Sequence, residues 1–256
     1  MVNTPSRVPR VTVPVAGTLP PRRTRRTLGA CVAAAAATTC LAGGGVAATA
    51  APASDAKAPA ANPDVLVNVD HDLYLVSPDG SHKPRRLTTS GDVGGASFSP
   101  DRSRIVYSKE RDRFTNLYVM RSDGTGAVNL TSGSVVAERD PDWSPDGTQI
   151  VFWRVSYLAS DNFSAIVTMP AHKGAAYRVV AHNERDIRGC DAPFYGSPVW
   201  SPTRAEIAVD ALCGSEGREV IAIFRPNGTL IKTIPISDSW TSGPTYDPTG
   251  DQLATA

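Results

Sequence analysis

The stretch Asp142-Trp143-Ser144-Pro145-Asp146-Gly147-Thr148-Gln149-Ile150-Val151-Phe152-Trp153 joins a strand that ends in an aromatic residue, a tight turn and a second apolar strand. Within the turn, proline presets φ, aspartate can bond to its own backbone, and glycine tolerates a positive φ. Two β-rich segments on either side of such a turn predict a β-hairpin.

The same pattern returns three times along the chain. Its copies are Phe98-Ser99-Pro100-Asp101, Trp200-Ser201-Pro202-Thr203 and the weaker Tyr246-Asp247-Pro248-Thr249-Gly250. The four prolines are separated by 45, 57 and 46 residues, which makes a repeat with one long insertion. Repeats of this length are typical of solenoids and propellers.

The best-formed repeat contains four short apolar segments joined by turns and one charged loop. The predicted strands are Ala96–Phe98, Arg104–Ser108, Asn116–Met120 and Ala127–Thr131. Four antiparallel strands in this order make a meander, and meanders arranged radially are the blades of a β-propeller.

The order of these features resembles a known repeat. Aromatic-Ser-Pro-Asp-Gly, an apolar strand, Leu117-Tyr118-Val119-Met120, Asp123-Gly124 and Leu130-Thr131 are similar to the WD40-like (PD40) repeat of the TolB-like β-propeller family. The resemblance covers about 65–256 and implies a fold, not an activity, because such propellers serve many functions. TolB itself resembles a six-bladed propeller behind an α/β domain, whereas here only a linker precedes Val65, so we expect no role in the Tol system.

The expected fold class is all-β, a propeller of about four antiparallel four-stranded blades, open or incomplete, after an export signal and a disordered linker. The copies give a three-strand start at 65–88, three fuller blades at about 93–131, 140–180 and 198–234, and a final hairpin at 244–255. Either the ring stays open, with unpaired strand edges at both ends, or the hairpin supplies the innermost strand of the first blade. A truncated member of a larger family is a further interpretation.

Residues 1–50 have the order of an export signal. Four arginines between 22 and 26 precede an alanine-rich apolar run at 28–42 and small residues at 48–50. Thr24-Arg25-Arg26-Thr27-Leu28 resembles a twin-arginine signal, and the Sec route is the alternative. Residues 51–63 are expected to be an Ala/Pro linker and 64–256 the propeller domain. The protein is therefore expected at an extracellular, cell-surface or periplasmic location, without a membrane span after signal removal.

Charge and cysteine content describe the mature domain. Removing the six arginines of 1–50 from the 26 basic residues leaves 20, against 25 acidic residues, and this balance argues against nucleic acid as a partner. Only Cys190 and Cys213 remain after signal removal, and an even pair in an exported protein predicts a disulfide. The topology also favours it, because the two cysteines belong to adjacent loops of one face.

Motifs for catalysis are not found in the sequence. It contains neither a Gly-x-Ser-x-Gly elbow nor His-Glu-x-x-His, so no catalytic residue, metal ligand or cofactor is predicted. Asp70-His71-Asp72 is the one cluster with metal-ligand residue types, and it reads better as a hairpin turn because adjacent side chains diverge. The repeated aromatics Phe98, Trp143, Trp200 and Tyr246 are expected to fill the space between blades and not to form a ligand platform.

The remaining candidates lie in the longer loops, which the propeller topology collects on one face. We therefore expect a non-enzymatic protein- or peptide-binding or scaffold module, with no nucleic-acid partner. The alternatives are an accessory or gating propeller of a prolyl-oligopeptidase-like hydrolase, or a metal-dependent propeller enzyme. The predicted binding residues are Arg113, Arg139, Asp140, Arg185, Asp186, Arg188 and Asp191.

Overall fold

The computed structural model describes residues 11–14, 64–111, 114–132, 136–158, 161–182, 187, 190, 194–213, 218–236 and 243–255. Within these residues the chain forms strands and turns but no helix. The expected signal at 1–50 and linker at 51–63 lie outside them, apart from 11–14. The strands are β1 (Val11–Pro14), β2 (Val65–Val69), β3 (Asp72–Val76), β4 (Arg85–Arg86), β5 (Val93–Phe98), β6 (Arg104–Arg111), β7 (Phe114–Arg121), β8 (Val128–Asn129), β9 (Ala137–Trp143), β10 (Gln149–Leu158), β11 (Asp161–Pro170), β12 (Arg178–His182), β13 (Phe194–Trp200), β14 (Ile207–Cys213), β15 (Arg218–Phe224), β16 (Leu230–Pro235), β17 (Thr245–Tyr246) and β18 (Gln252–Thr255).

These strands form antiparallel sheets in sequence order. Blade 1 has three strands, β2-β3-β4, and blades 2, 3 and 4 have four each: β5-β6-β7-β8, β9-β10-β11-β12 and β13-β14-β15-β16. The final hairpin is β17–β18. The chain is thus an all-β propeller of antiparallel blades, and the predicted division into a three-strand start, three full blades and a hairpin is confirmed.

The Ser-Pro-Asp turns form as the residue types predict. In blade 3, Ser144 Oγ donates to Asp146 Oδ1 at 2.5 Å, and Asp146 Oδ1 also accepts the N–H of Thr148 at 3.0 Å. Gly147 adopts a φ of 69°, and its N–H donates to Ser144 O at 2.9 Å. These bonds hold the pKa of Asp146 below its usual range, with the Ser144 bond as the main cause. The turn therefore stabilises itself and fixes the register of β9 against β10.

The repeated aromatic residues lie between blades, as expected. Trp143 of blade 3 is 4% exposed and packs with Val106 and Leu117 of blade 2. Trp200 of blade 4 is 7% exposed and packs with Val151 and Ile166 of blade 3. Each blade thus buries the apolar face of its predecessor under an aromatic side chain from its own inner strand.

The turns between the third and fourth strands add a second contact between blades. A Cβ atom built on Gly124, whose φ is 87°, would lie 3.2 Å from the carbonyl oxygen of Leu87 in blade 1. A Cβ atom on Gly228, whose φ is 92°, would lie 3.0 Å from Val180 O in blade 3. These positions require glycine both for the left-handed backbone and for the close approach.

The sheets do not close into a ring within the described residues. The hairpin β17–β18 pairs with β1, from Val11↔Thr255 to Pro14↔Gln252, and not with β2. Of the two alternatives, completion of blade 1 by the hairpin is therefore wrong, and the sheets are open or incomplete within the described residues. In the repeat register β18 is a second strand, so β1 takes the place of a third strand beside it, whereas β2 lacks a first one. Val65 and Val69 on β2 are accordingly 49% and 46% exposed.

Candidate functional site

We define the long-loop face as the side of the propeller that carries the connections between second and third strands and between blades. On this face a cleft of about 520 Å³ lies among the first three blades. Arg139 is exposed at this cleft, and Asp140 beside it is half-buried. The loop-face cleft is lined by His71, Gly91, Asp92, Val93, Gly94, Gly95, Ser108, Glu110, Thr115, Arg139, Asp140 and Trp153.

The Asp140 side chain lies between β5 of blade 2 and β13 of blade 4. Its backbone has a φ of 49°, and its Oδ2 accepts a hydrogen bond from Ser197 Oγ at 3.2 Å. A Cβ atom on Gly95 would lie 2.5 Å from Asp140 Oδ1, so only glycine leaves room for this carboxyl group. Burial raises the pKa of Asp140, while the bond from Ser197 and the charge of Arg139 oppose that rise.

The inner wall is built from one position of the repeat, five residues before each turn proline. Consecutive members touch: Asp140 contacts both Gly95 and Ser197, and a Cβ atom on Gly243 would lie 2.6 Å from Ser197 Cβ. The inner strands of blades 2, 3 and 4 and the segment before β17 therefore converge at this level.

A second carboxyl group, Asp210, reaches the same wall from β14. It passes through space left by Gly196, whose Cβ atom would lie 2.2 Å from Asp210 Oδ2. Burial raises the pKa of Asp210 to about 6, and the negative charges of Asp140 and Glu219 add to the effect. Its Oδ1 has no hydrogen-bond partner within the described part of the chain. Asp210 therefore changes charge near pH 6, and the net charge of the inner wall changes with it.

The predicted disulfide is confirmed. Cys190 and Cys213 are joined by an S–S bond of 2.12 Å across a Cα–Cα distance of 4.8 Å, and both are 4% exposed. Cys190 belongs to the connection between blades 3 and 4, and Cys213 ends β14. Ile187, 3% exposed, packs in the same core cluster as the pair. The bond thus attaches the longest loop-face connection to the core of blade 4.

The structure brings two of the predicted binding residues, Arg139 and Asp140, to the loop-face cleft. The other five, Arg113, Arg185, Asp186, Arg188 and Asp191, lie outside the described residues. Sequence reasoning missed the glycine pair Gly94-Gly95 and the carboxylate Asp210. Alignment on the turn prolines would have flagged the pair, because it stands where the other blades have Arg139-Asp140 and Gly196-Ser197.

Asp70-His71-Asp72 forms the predicted hairpin turn between β2 and β3, with φ values of 50° and 61° at Asp70 and His71. The Asp72 carboxylate accepts bonds from Thr88 Oγ1 at 2.7 Å and Arg86 Nη2 at 2.5 Å. These bonds, above all that from Thr88, hold the pKa of Asp72 at about 2. Across the described ranges, no group of three His, Cys, Asp or Glu side chains is arranged to hold a metal ion.

Comparison with solved structures identifies the fold. The chain is similar to a TolB protein from Agrobacterium tumefaciens, with a TM-score of 0.59, 21% identity and coverage of 75% of this chain and 65% of that one. It is also similar to a chain of a nidogen/laminin complex, with a TM-score of 0.58, 11% identity and coverage of 75% and 69%. A structure of oligogalacturonate lyase in complex with manganese gives a TM-score of 0.52 at 12% identity, covering 71% and 51%.

One curated sequence is also similar. It is dipeptidyl-peptidase 5 from Porphyromonas endodontalis, 35% identical over 78 residues, or 28% of this chain. The chain spans about a tenth of the length of this relative, since the match covers 11% of it. No family model matches the chain. None of the described elements is a helix long and apolar enough to cross a membrane. The chain folds as a TolB-like β-propeller.

Proposed function

We propose that this TolB-like β-propeller is an exported, non-enzymatic module that binds a protein or peptide through its long-loop face. The observation that carries the proposal is the loop-face cleft, where an exposed arginine, Arg139, stands beside the half-buried Asp140. An arginine fork and a nearby carboxylate offer donors and acceptors to a polar partner, and paired charges of this kind set specificity and association rate.

The glycine pair Gly94-Gly95 forms a closely packed part of the cleft wall. A Cβ atom on Gly94 would lie 2.7 Å from Ser108 Oγ, so this part of the wall has no room for a side chain of its own. The carbonyl oxygens of the pair already accept hydrogen bonds, that of Gly94 from Asn68 Nδ2 at 2.8 Å and that of Gly95 from Ser108 Oγ at 3.4 Å. Recognition of a partner at this wall therefore falls to the side chains of Arg139 and Asp140.

The disulfide supports the rest of the proposed surface. Cys190 lies close in sequence to Arg185, Asp186, Arg188 and Asp191, and its bond to Cys213 limits the freedom of the loop that carries them. A restrained loop loses less conformational entropy on binding. Together with Arg113, these residues complete the set that we propose to contact the partner.

Export is part of the proposal and rests on two features. Residues 1–50 have the basic, apolar, small order of a secretory or twin-arginine signal. A buried disulfide is usual in proteins that fold in oxidising compartments. Mass spectrometry of protein recovered outside the cytoplasm tests this directly: a mature amino terminus near Ala50 or Ala53 is expected, and an intact Met1 terminus would contradict export through a cleaved signal. Cleavage there would also remove β1 and leave the edge of β18 that pairs with it free.

The binding proposal is tested with a triple variant, Arg139→Ala with Arg185→Ala and Asp191→Ala. Purified wild type and variant serve as bait for the extracytoplasmic fraction of the producing cells, and captured proteins are quantified by mass spectrometry. A control pair on the opposite face, Lys83→Ala with Lys173→Ala, should keep every wild-type partner. A partner set that is unchanged in the triple variant would show that this face is not the binding surface.

The similarity to dipeptidyl-peptidase 5 favours a second candidate, a propeller that serves or gates a peptidase. In that case the captured set should contain a serine hydrolase, detected by covalent labelling with a fluorophosphonate probe. Dipeptide release should then appear in the captured complex and be absent from the purified chain alone. Absence of any labelled hydrolase would favour the binding module.

A further inference from the structure

A second large cleft lies on the opposite side of the propeller, the face that carries the tight turns. It measures about 870 Å³ and lies between blades 3 and 4. We call it the turn-face cleft. Its walls include Gln149, Tyr177, Arg178, Arg225 and Pro226.

The turn-face cleft continues into a second hollow. A cavity of about 460 Å³ shares Gln149, Ala205 and Pro226 with it and extends towards Trp200. Two adjoining hollows form a groove, which suits an extended chain better than a compact ion. The combined size also exceeds what one carboxylate or phosphate group fills.

Positive charge in this cleft is unbalanced. Arg178 and Arg225 are exposed, and no Asp or Glu is among the residues that line the 870 Å³ hollow. Neither guanidinium has a hydrogen-bond or ion-pair partner in the described part of the chain. By contrast, Arg204 on the same face is paired with Asp251. The mature domain as a whole has more acidic than basic residues, so the positive potential at this cleft differs in sign from its net charge. The cleft therefore attracts anions.

An aromatic side chain is fixed beside the two arginines. Tyr177 is 48% exposed, yet its hydroxyl accepts a hydrogen bond from Arg154 Nη1 at 3.0 Å. The Arg154 guanidinium also lies 4.6 Å from the centre of the Tyr177 ring. A tyrosine held in this way offers apolar area with little entropy left to lose on binding.

We propose that the turn-face cleft is a second binding site, which takes an acidic peptide segment of a partner protein. Carboxylate side chains of the peptide pair with Arg178 and Arg225, because guanidinium groups bind carboxylates through two parallel hydrogen bonds. An apolar side chain of the peptide packs on Tyr177 and Pro226. This site lies on the face opposite to the loop-face cleft, so its test is independent of the proposed function.

The test uses fluorescence anisotropy with a fluorescein-labelled dodecapeptide of alternating glutamate and leucine, and a matched peptide in which every glutamate is glutamine. The wild type should bind the glutamate peptide at least about tenfold more tightly than the glutamine peptide. The double charge reversal Arg178→Glu with Arg225→Glu should weaken that binding by more than about tenfold. Added salt should weaken it too.

The control is the pair Lys83→Glu with Lys173→Glu, which makes the same change in net charge on the same face outside the cleft. It should retain wild-type affinity to within about threefold. If the charge reversals lower the melting temperature, the milder pair Arg178→Gln with Arg225→Gln answers the same question.

Three results would overturn the proposal. The first is equal binding of the glutamate and glutamine peptides, and the second is equal weakening in the Lys83 and Lys173 control. The third is displacement of the glutamate peptide by inorganic phosphate at an equal concentration, which would assign the arginines to small anions and not to a peptide.

Discussion

Asp142 Oδ1 lies 2.7 Å from Ser97 Oγ, so a carboxyl group on the inner strand of blade 3 accepts a hydrogen bond from the inner strand of blade 2. Its Oδ2 accepts the backbone N–H of Trp200 in blade 4 at 2.8 Å. One side chain therefore bridges three consecutive inner strands. Burial raises the pKa of Asp142, and the two bonds oppose that rise.

Replacing this bridge tests its contribution. Asp142→Ala leaves the Trp200 N–H and the Ser97 hydroxyl without their acceptor, and we expect the free energy of unfolding to fall by about 2 to 4 kcal/mol. Asp142→Asn should cost much less, because its amide oxygen can accept from Trp200 while its NH₂ group donates to Ser97. Urea unfolding measures both variants. Equal losses for alanine and asparagine would mean that packing, not hydrogen bonding, is what the carboxyl group provides.

Asp210 should make stability depend on pH between about 4 and 6. Its pKa in the folded protein is about 6, above the value of about 3.9 for an unfolded aspartate. Its contribution to stability is therefore complete below about pH 4 and is lost as the pH rises through about 6. Asp210→Asn should be more stable than the wild type at pH 7, by on the order of 2 kcal/mol, and not at pH 4. Urea midpoints across this range decide it, and parallel pH curves for the two proteins would contradict the prediction.

Gly196 and Asp210 should behave as a coupled pair. Gly196→Ala places a Cβ atom 2.2 Å from Asp210 Oδ2, and we expect a loss of about 1 to 3 kcal/mol because the carboxyl group must move. In an Asp210→Ala background the same change should cost clearly less, because the obstructing carboxyl group is gone. A double-mutant cycle from thermal unfolding measures the coupling. Additive losses would show that the backbone of β13 itself excludes alanine.

The disulfide should stabilise the domain chiefly by restricting the unfolded chain. Cys190 and Cys213 are 23 positions apart in the sequence, so reduction should lower the free energy of unfolding by roughly 3 kcal/mol. The Cys190→Ser with Cys213→Ser variant should show a similar loss and no further response to reductant. A guanidinium titration with and without reductant measures this, and the two proteins should coincide under reducing conditions. If the reductant is shown to break the bond and the stability of the wild type does not change, the prediction is contradicted.

Turn chemistry and aromatic spacing were sufficient to predict the blades. Pro145 and Gly147 specify a turn from local backbone preferences alone, and Trp143 marks the strand that precedes it. The disulfide also followed from topology, because Cys190 and Cys213 lie on adjacent loops of one face. These features depend on short-range rules or on the order of strands, both of which are legible in one sequence.

The buried carboxyl groups of Asp142 and Asp210 could not be predicted in the same way. Asp142 and Asp210 are charged residues within strands, and local pattern assigns such residues to solvent. Their burial depends on which strand of the next blade lies opposite and on Gly196 leaving a gap, which are facts of three-dimensional register. The pairing of β18 with β1 is non-local too, since it joins residues near opposite ends of the chain.

The aromatic side chain that covers each blade comes from the following repeat, and this gives the assembly a direction. When the chain folds from its amino-terminal end, the apolar face of each blade stays exposed until the next repeat has folded. Blade 2 is covered only when Trp143 packs on it, and blade 3 only when Trp200 does. A force applied to the carboxyl terminus should unfold the repeats one after another from that end, because each step removes the aromatic side chain that covers the preceding blade.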